Sequence, residues 1–160
     1  YVFRNNEGIQ GFLYLKQEGK NEDYSDFDPM LKPKRRLKVG TFKINSTGIR
    51  LGERFLKIIF DNALKQGVDE IYVTMLKDKR KEVANLKSLM EKWGFVEKGA
   101  KSNGEIYLVK DMKNYDDEKD PKFNYPLTKN NRSISFLPVV ARYHTKLFPD
   151  LHLRNEDATF

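Results

Sequence analysis

Apolar and polar positions alternate or recur in patterns that divide most of the chain into regular elements. Tyr1-Val2-Phe3-Arg4 and Ile9 to Lys16 are apolar–aromatic runs on either side of Asn5-Asn6-Glu7-Gly8, the pattern of a β-hairpin. From Arg36 to Ile44, β-branched and aromatic residues fall at alternate places, as in a half-buried strand. Asn45-Ser46-Thr47-Gly48 is a polar turn, and Leu51, Phe55, Ile58, Ile59 and Ala63 then recur at helical spacing until Gly67. Asp69 to Met75 predicts a buried strand, joined to its predecessor through the helix, so the two strands should run parallel. Val83, Leu86, Leu89, Met90 and Trp93 predict a second helix closed by Gly94. Phe95-Val96-Glu97 and Glu105 to Met112 predict two last strands around a Gly99 to Gly104 turn.

Two stretches lack this regularity. Gln17 to Pro33 carries glycine and proline with Glu22, Asp23, Asp26 and Asp28, and reads as a long polar loop. It is expected to be a mobile excursion between strands, or to gather a cationic amine with its carboxylates. Residues 113–133 are charged, then rich in Asn and Pro, and read as a linker. Residues 134–160 are expected to be a C-terminal appendage packed on the core or the start of a neighbouring domain, with a partner-docking helix as the alternative. There Phe136, Val140, Tyr143 and Leu147 share a helical face between Pro138 and Pro149.

Composition narrows the class. The 160 residues are 39% hydrophobic and 33% charged, which suits one globular domain rather than a disordered chain. Cysteine is absent, so disulfides and zinc–thiolate sites are excluded and a cytoplasmic setting is the default. No apolar run approaches the ~20 residues that cross a bilayer, so no membrane partner is expected. The net charge of +7 comes from spread residues, with clusters only at Lys32 to Lys38 and Lys77 to Lys81, read as solvated surface. His144 and His152 lack a carboxylate pattern of metal-site type, and no metal is expected.

Candidate chemistry sits where the Arg36–Ile44 strand turns into its helix. Such a junction leaves unpaired N–H groups at the positive end of the helix dipole, a natural phosphate site. Thr47-Gly48-Ile49-Arg50-Leu51-Gly52 resembles the R-G-x-G-x-G/A turn with which GNAT N-acetyltransferases grip the pyrophosphate of acetyl-CoA. Gly48 and Gly52 match; Thr47 stands where Arg or Gln is usual, and Arg50 where Gly is usual. Leu89-Met90-Glu91-Lys92-Trp93-Gly94-Phe95 is similar to the family's L-Y-E-K-x-G-F pattern.

The resemblance covers about residues 1–112 and implies an α/β (α+β) fold. The expected architecture is a mixed, mostly antiparallel GNAT-like sheet with a central βαβ crossover and helices on both faces. The family's first strand and the two helices after it have no counterpart, so a fragment of a longer protein is expected. The resemblance also implies acetyl transfer from acetyl-CoA to a primary amine on a small molecule, a protein or an aminoacyl-tRNA. It assigns the cofactor to Phe42, Ile44, Ser46, Thr47, Gly48, Ile49, Arg50, Leu51, Gly52 and Glu53. The parallel strands would splay apart to take the pantetheine arm.

The acid of many family members, the Tyr of L-Y-E-K, is Met90 here, and a thioether donates no proton. Tyr72, Glu105 and Tyr107 remain catalytic candidates on strands. Two other readings stay open. One is a GNAT-like interaction module, weak as a catalyst, within a larger protein. The other is a basic nucleic-acid-binding domain that uses Phe12, Tyr14, Phe42 and Tyr107 as stacking groups.

Overall fold

The computed structural model describes residues 1–44, 51–78 and 80–127. The chain divides into one unit over Tyr1–Lys129 and a second over Asn130–Phe160. The second, with the strand and helix expected after residue 133, lies outside the described residues.

Strands β1 (Val2–Asn5) and β2 (Gly8–Glu18) form the expected hairpin, with Gly8 at φ 110° in its turn. A two-residue strand β3 (Phe27–Asp28), then β4 (Arg36–Ile44), helix α1 (Leu51–Gln66) and β5 (Glu70–Leu76) follow. Helix α2 (Lys81–Lys92), β6 (Val96–Lys101), β7 (Glu105–Asp111) and a short α3 (Pro121–Asn124) complete the described chain. The seven strands form one sheet in the order β1-β2-β4-β5-β7-β6-β3, and only β4 and β5 pair in parallel. The parallel pair is the one joined through a helix, as a crossover requires.

Both helices end where the sequence places glycine. Gly67 and Gly94 have φ of 58° and 85°, a region open to glycine at little cost. Val68 N–H reaches Ala63 O and Phe95 N–H reaches Met90 O, which satisfies carbonyls that each helix end would otherwise leave bare. The inward stripe of α1 (Leu51, Phe55, Leu56, Ile59, Phe60 and Ala63) is buried. It packs with Leu37, Val39, Ile71, Val73, Ile106 and Leu108, which alternate along β4, β5 and β7. Met90 of α2 joins the same cluster, with Leu86, Leu89 and Trp93 against it. Each large side chain buried there contributes about 1.5–3 kcal/mol.

The sheet is mixed and mostly antiparallel, as expected, but its two faces are covered differently. Among the described residues both long helices pack into the cluster on one face. The opposite face is covered by the Gln17–Pro33 segment, through Tyr24 and Phe27 packed on Tyr72, Tyr107 and Val109. This segment is therefore a packed strap, not the expected loose excursion. Its aromatic residues anchor it in T-shaped contacts, with Phe27 to Tyr107 at 4.9 Å and Tyr24 to Tyr72 at 6.2 Å. Its carboxylates are also engaged: Glu22 with Lys16, Asp26 with Lys101, and Asp23 accepting from Ser25 N–H.

The stretch expected to be a linker is packed in its described part. Asp120 caps α3 by accepting from Lys122 N–H, and Asn124 is buried. Tyr125 lies edge-on to Phe60 and Trp93 at 5.3 and 5.6 Å. Lys110, buried on β7, donates to Phe123 O at 2.6 Å and faces the Phe60 ring. Burial disfavours its charge and pulls its pKa down to about 8.

Two predictions follow from this packing. A Cβ on Gly99 would stand 2.0 Å from the Asp28 carbonyl oxygen, a backbone atom of the strap. Gly99→Ala should therefore destabilise the fold by about 1–3 kcal/mol in urea unfolding. Folded Lys110 releases its proton near pH 8 while the unfolded chain holds it to 10.5, so unfolding takes up a proton in between. Stability should rise with pH across that window, and Lys110→Met should flatten the rise in the same unfolding series.

Candidate functional site

The central parallel ladder is short. Its rungs are Arg36–Glu70, Leu37–Ile71, Lys38–Tyr72 and Val39–Val73. Both strands then run on, β4 to Ile44 and β5 to Leu76, without pairing with each other. On their outer sides each keeps its antiparallel neighbour, β2 for β4 and β7 for β5. Among the described residues the facing edges of Gly40–Ile44 and Thr74–Leu76 therefore lack a strand partner, and the sheet opens there.

A bulge lies at the point of divergence. Tyr14 pairs with Thr41 and Leu15 with Val39, so Gly40 is the extra residue on β4. A bulge bends its strand and adds twist. Glycine is needed because a Cβ there would lie 2.6 Å from Cδ1 of Tyr14.

The start of α1 lies beside the open end. A Cβ on Gly52 would be 3.6 Å from Cδ1 of Ile44, the last residue of β4, and 2.8 Å from Cδ2 of Leu89 on α2. The end of β4, the first described turn of α1 and the middle of α2 thus meet at one corner. Leu51 is buried and Glu53 is half-buried with Lys122 Nζ at 3.9 Å. Phe42 and Ile44 are half-buried against the core, and Phe42 meets Phe55 edge-on at 5.6 Å. The structure so brings together Phe42, Ile44, Leu51, Gly52 and Glu53. Ser46, Thr47, Gly48, Ile49 and Arg50 lie outside the described residues.

The three catalytic candidates part company. Tyr72 is buried and donates to Glu18 Oε2 at 2.7 Å; burial raises its pKa. Tyr107 is buried and donates to Pro29 O at 2.5 Å, and burial raises its pKa also. Both phenols thus tie the strap or its root to the sheet. Glu105 is half-buried at the first position of β7, opposite Leu76 at the open end of β5. Met90 is fully buried in the core.

Sequence reading passed over a buried polar cluster at the closed end of the ladder. Arg36, 1% exposed, donates to Glu70 Oε2 at 2.8 Å and to Lys32 O at 2.7 Å, with its guanidinium 4.8 Å from the Tyr24 ring. Lys34 pairs with Glu70 Oε1. Glu18 is buried opposite Arg36 and accepts from Tyr24 and Tyr72. The signal was present in part: Arg36 and Lys38 alternate with Leu37 and Val39, yet only one of these two cations reaches water. The aromatics proposed for nucleic-acid stacking also separate. Phe12 and Tyr14 are exposed, Tyr107 is buried under the strap, and Phe42 packs toward α1.

No protein-family profile and no curated protein matches the chain. Solved structures do. Naa20 of Chaetomium thermophilum in complex with a bisubstrate analogue superposes with TM-score 0.51 at 15% identity, over 70% of this chain and 65% of that one. The NatC complex bound to Gag peptide and CoA gives 0.50 at 15% identity, over 67% and 64%. A GNAT family acetyltransferase from Listeria monocytogenes 4b F2365 gives 0.50 at 16%, over 69% and 62%.

The chain has a GNAT-like fold. It spans less than two thirds of the length of these structures. Among the described residues of this GNAT-like sheet, no group of three or more His, Asp or Glu side chains is placed to hold a metal. No described helix is long and apolar enough to cross a membrane.

The internal roles of the two phenols give a direct test. Tyr72→Phe leaves a buried acceptor on Glu18 short of one donor and should cost about 1–3 kcal/mol in urea unfolding. Tyr107→Phe should cost about 1 kcal/mol by the same measurement, through loss of its bond to the strap.

Proposed function

We propose that the chain binds acetyl-CoA in the opening between β4 and β5 and transfers the acetyl group to a primary amine. The observation that supports this is the ladder that stops at Val39–Val73 while both strands continue beside the start of α1. Backbone groups on the facing edges of Gly40–Ile44 and Thr74–Leu76 suit a pantetheine arm, which carries amides able to stand in for missing rungs. The pyrophosphate would sit at the helix start, on Ser46, Thr47, Gly48, Ile49, Arg50, Leu51, Gly52 and Glu53, with Phe42 and Ile44 forming the adjoining wall. When bound, the thioester supplies an acyl group open to attack by an amine.

The chain's own contribution is mainly orientation. Correct placement of two reactants is worth ~7 kcal/mol or more, enough for turnover without a dedicated acid. With Tyr72 and Tyr107 buried in internal bonds, Glu105 is the candidate base: its Oε2 accepts from Asn103 at 3.1 Å, but the carboxylate stays half-exposed at the open end to water that would relay the amine proton. A second reading is a GNAT-like interaction module in a larger protein that binds coenzyme A poorly or not at all. It draws on the buried thioether of Met90 at the place of the usual acid.

Calorimetric titration with acetyl-CoA separates the two. Micromolar binding is the expected result, lost in Gly52→Trp at a temperature where that variant, strained by its side chain against Leu89, is still folded; no heat at millimolar acetyl-CoA would leave the interaction module. Thiol release with a panel of amines then reports turnover, and Glu105→Gln should lower kcat about 100-fold with little change in acetyl-CoA affinity.

A further inference from the structure

On the strap-covered face, a cavity of about 250 Å³ opens at the closed end of the β4–β5 ladder. It is separate from the opening beyond Val39–Val73. Four cations line it, Lys32, Lys34, Arg36 and Lys98, against the single carboxylate of Glu70. Both oxygens of that carboxylate are already taken, one by Lys34 and one by Arg36. Nη1 of Arg36 is buried without a hydrogen-bond partner, although the residue is 1% exposed. Lys32 and Lys98 have no ion pair among the described residues.

That nitrogen is sealed from the cavity, so the cationic groups a ligand can reach are the exposed ammonium groups of Lys32 and Lys98, with the Arg36 charge behind them. The rest of the wall is apolar, with Leu31 from the strap and Val109 from β7. Cationic groups beside apolar walls suit a ligand with a negative head and a compact apolar body. They disfavour a cationic amine by simple repulsion, which sets this cavity apart from an acceptor site for acetyl transfer.

We propose that this cavity binds a small organic anion, a carboxylate or phosphate monoester carrying a compact apolar group. The anionic head meets Lys32 and Lys98, with the buried Arg36 charge behind them, and the body lies along Leu31 and Val109. The ligand would also clamp the strap to the sheet, because Lys32 and Leu31 belong to one and Arg36, Lys98 and Val109 to the other.

The test titrates the full chain with phenyl phosphate, benzoate, inorganic phosphate and benzyl alcohol while following backbone amide resonances by NMR. Saturable shifts at Lys98, Tyr107 and Val109 with phenyl phosphate or benzoate are expected, and whichever binds more tightly identifies the head group. Inorganic phosphate should bind more weakly because it lacks the apolar body, and benzyl alcohol should not bind. Lys32 and Lys98 are exposed, so the double variant Lys32→Ala, Lys98→Ala should fold normally and bind about tenfold more weakly. The proposal is overturned by an absence of saturable shifts, by equal shifts with benzyl alcohol, or by unchanged affinity in the double variant. Acetyl-CoA added to the same samples reads the other site through residues of β4 and α1, so failure of one reading is distinguishable from failure of the other.

Discussion

Four rungs of parallel pairing hold the centre of this molecule, and what happens at each end of them sets the rest. At the closed end a buried arginine is locked to Glu70 and to the Lys32 carbonyl. At the open end a glycine bulge turns β4 away from β5. The strands stay together at one end and diverge at the other, where Gly40, Thr41, Lys43 and Leu76 are exposed. The antiparallel neighbours β2 and β7 keep each strand in place on its outer side, so only the inner edges are left open.

The buried charges at the closed end explain why the strap is where it is. Arg36, Glu18 and Glu70 could not remain on an uncovered sheet face and also be withdrawn from water. The strap supplies the cover with Tyr24 and Phe27 and supplies an acceptor with the Lys32 carbonyl. Breaking a buried pair by removing one partner is far more damaging than lacking the pair altogether. The cluster therefore fixes the path of the strap more firmly than its contribution to stability alone would require.

Likeness to acetyltransferase structures at about 15% identity rests on geometry rather than on shared residues. In this chain the backbone has a crossover, a short parallel ladder and a helix that starts beside the point where the ladder has opened. Such features tolerate wide change in side chains, since they depend on hydrogen-bond edges and on a few glycines. Gly40 and Gly52 illustrate this, each sitting where an added Cβ would press on a neighbour.

The sequence alone determined the local elements: the hairpin around Asn5 to Gly8, both helices with their terminal glycines, and the parallel relation of β4 to β5. These follow from periodicity and from backbone preferences that act within a few residues. It also pointed to the junction after Ile44, because a strand entering a helix through a polar turn exposes backbone donors wherever it occurs. Tertiary structure decided that Tyr72 and Tyr107 are internal donors, that Arg36 and Glu18 leave water, and that the Gln17–Pro33 segment is a packed cover. Each of those outcomes depends on partners distant along the chain, such as Glu18 with Tyr72 or Tyr107 with Pro29. A local pattern carries no record of such partners, so only the assembled sheet could disclose them.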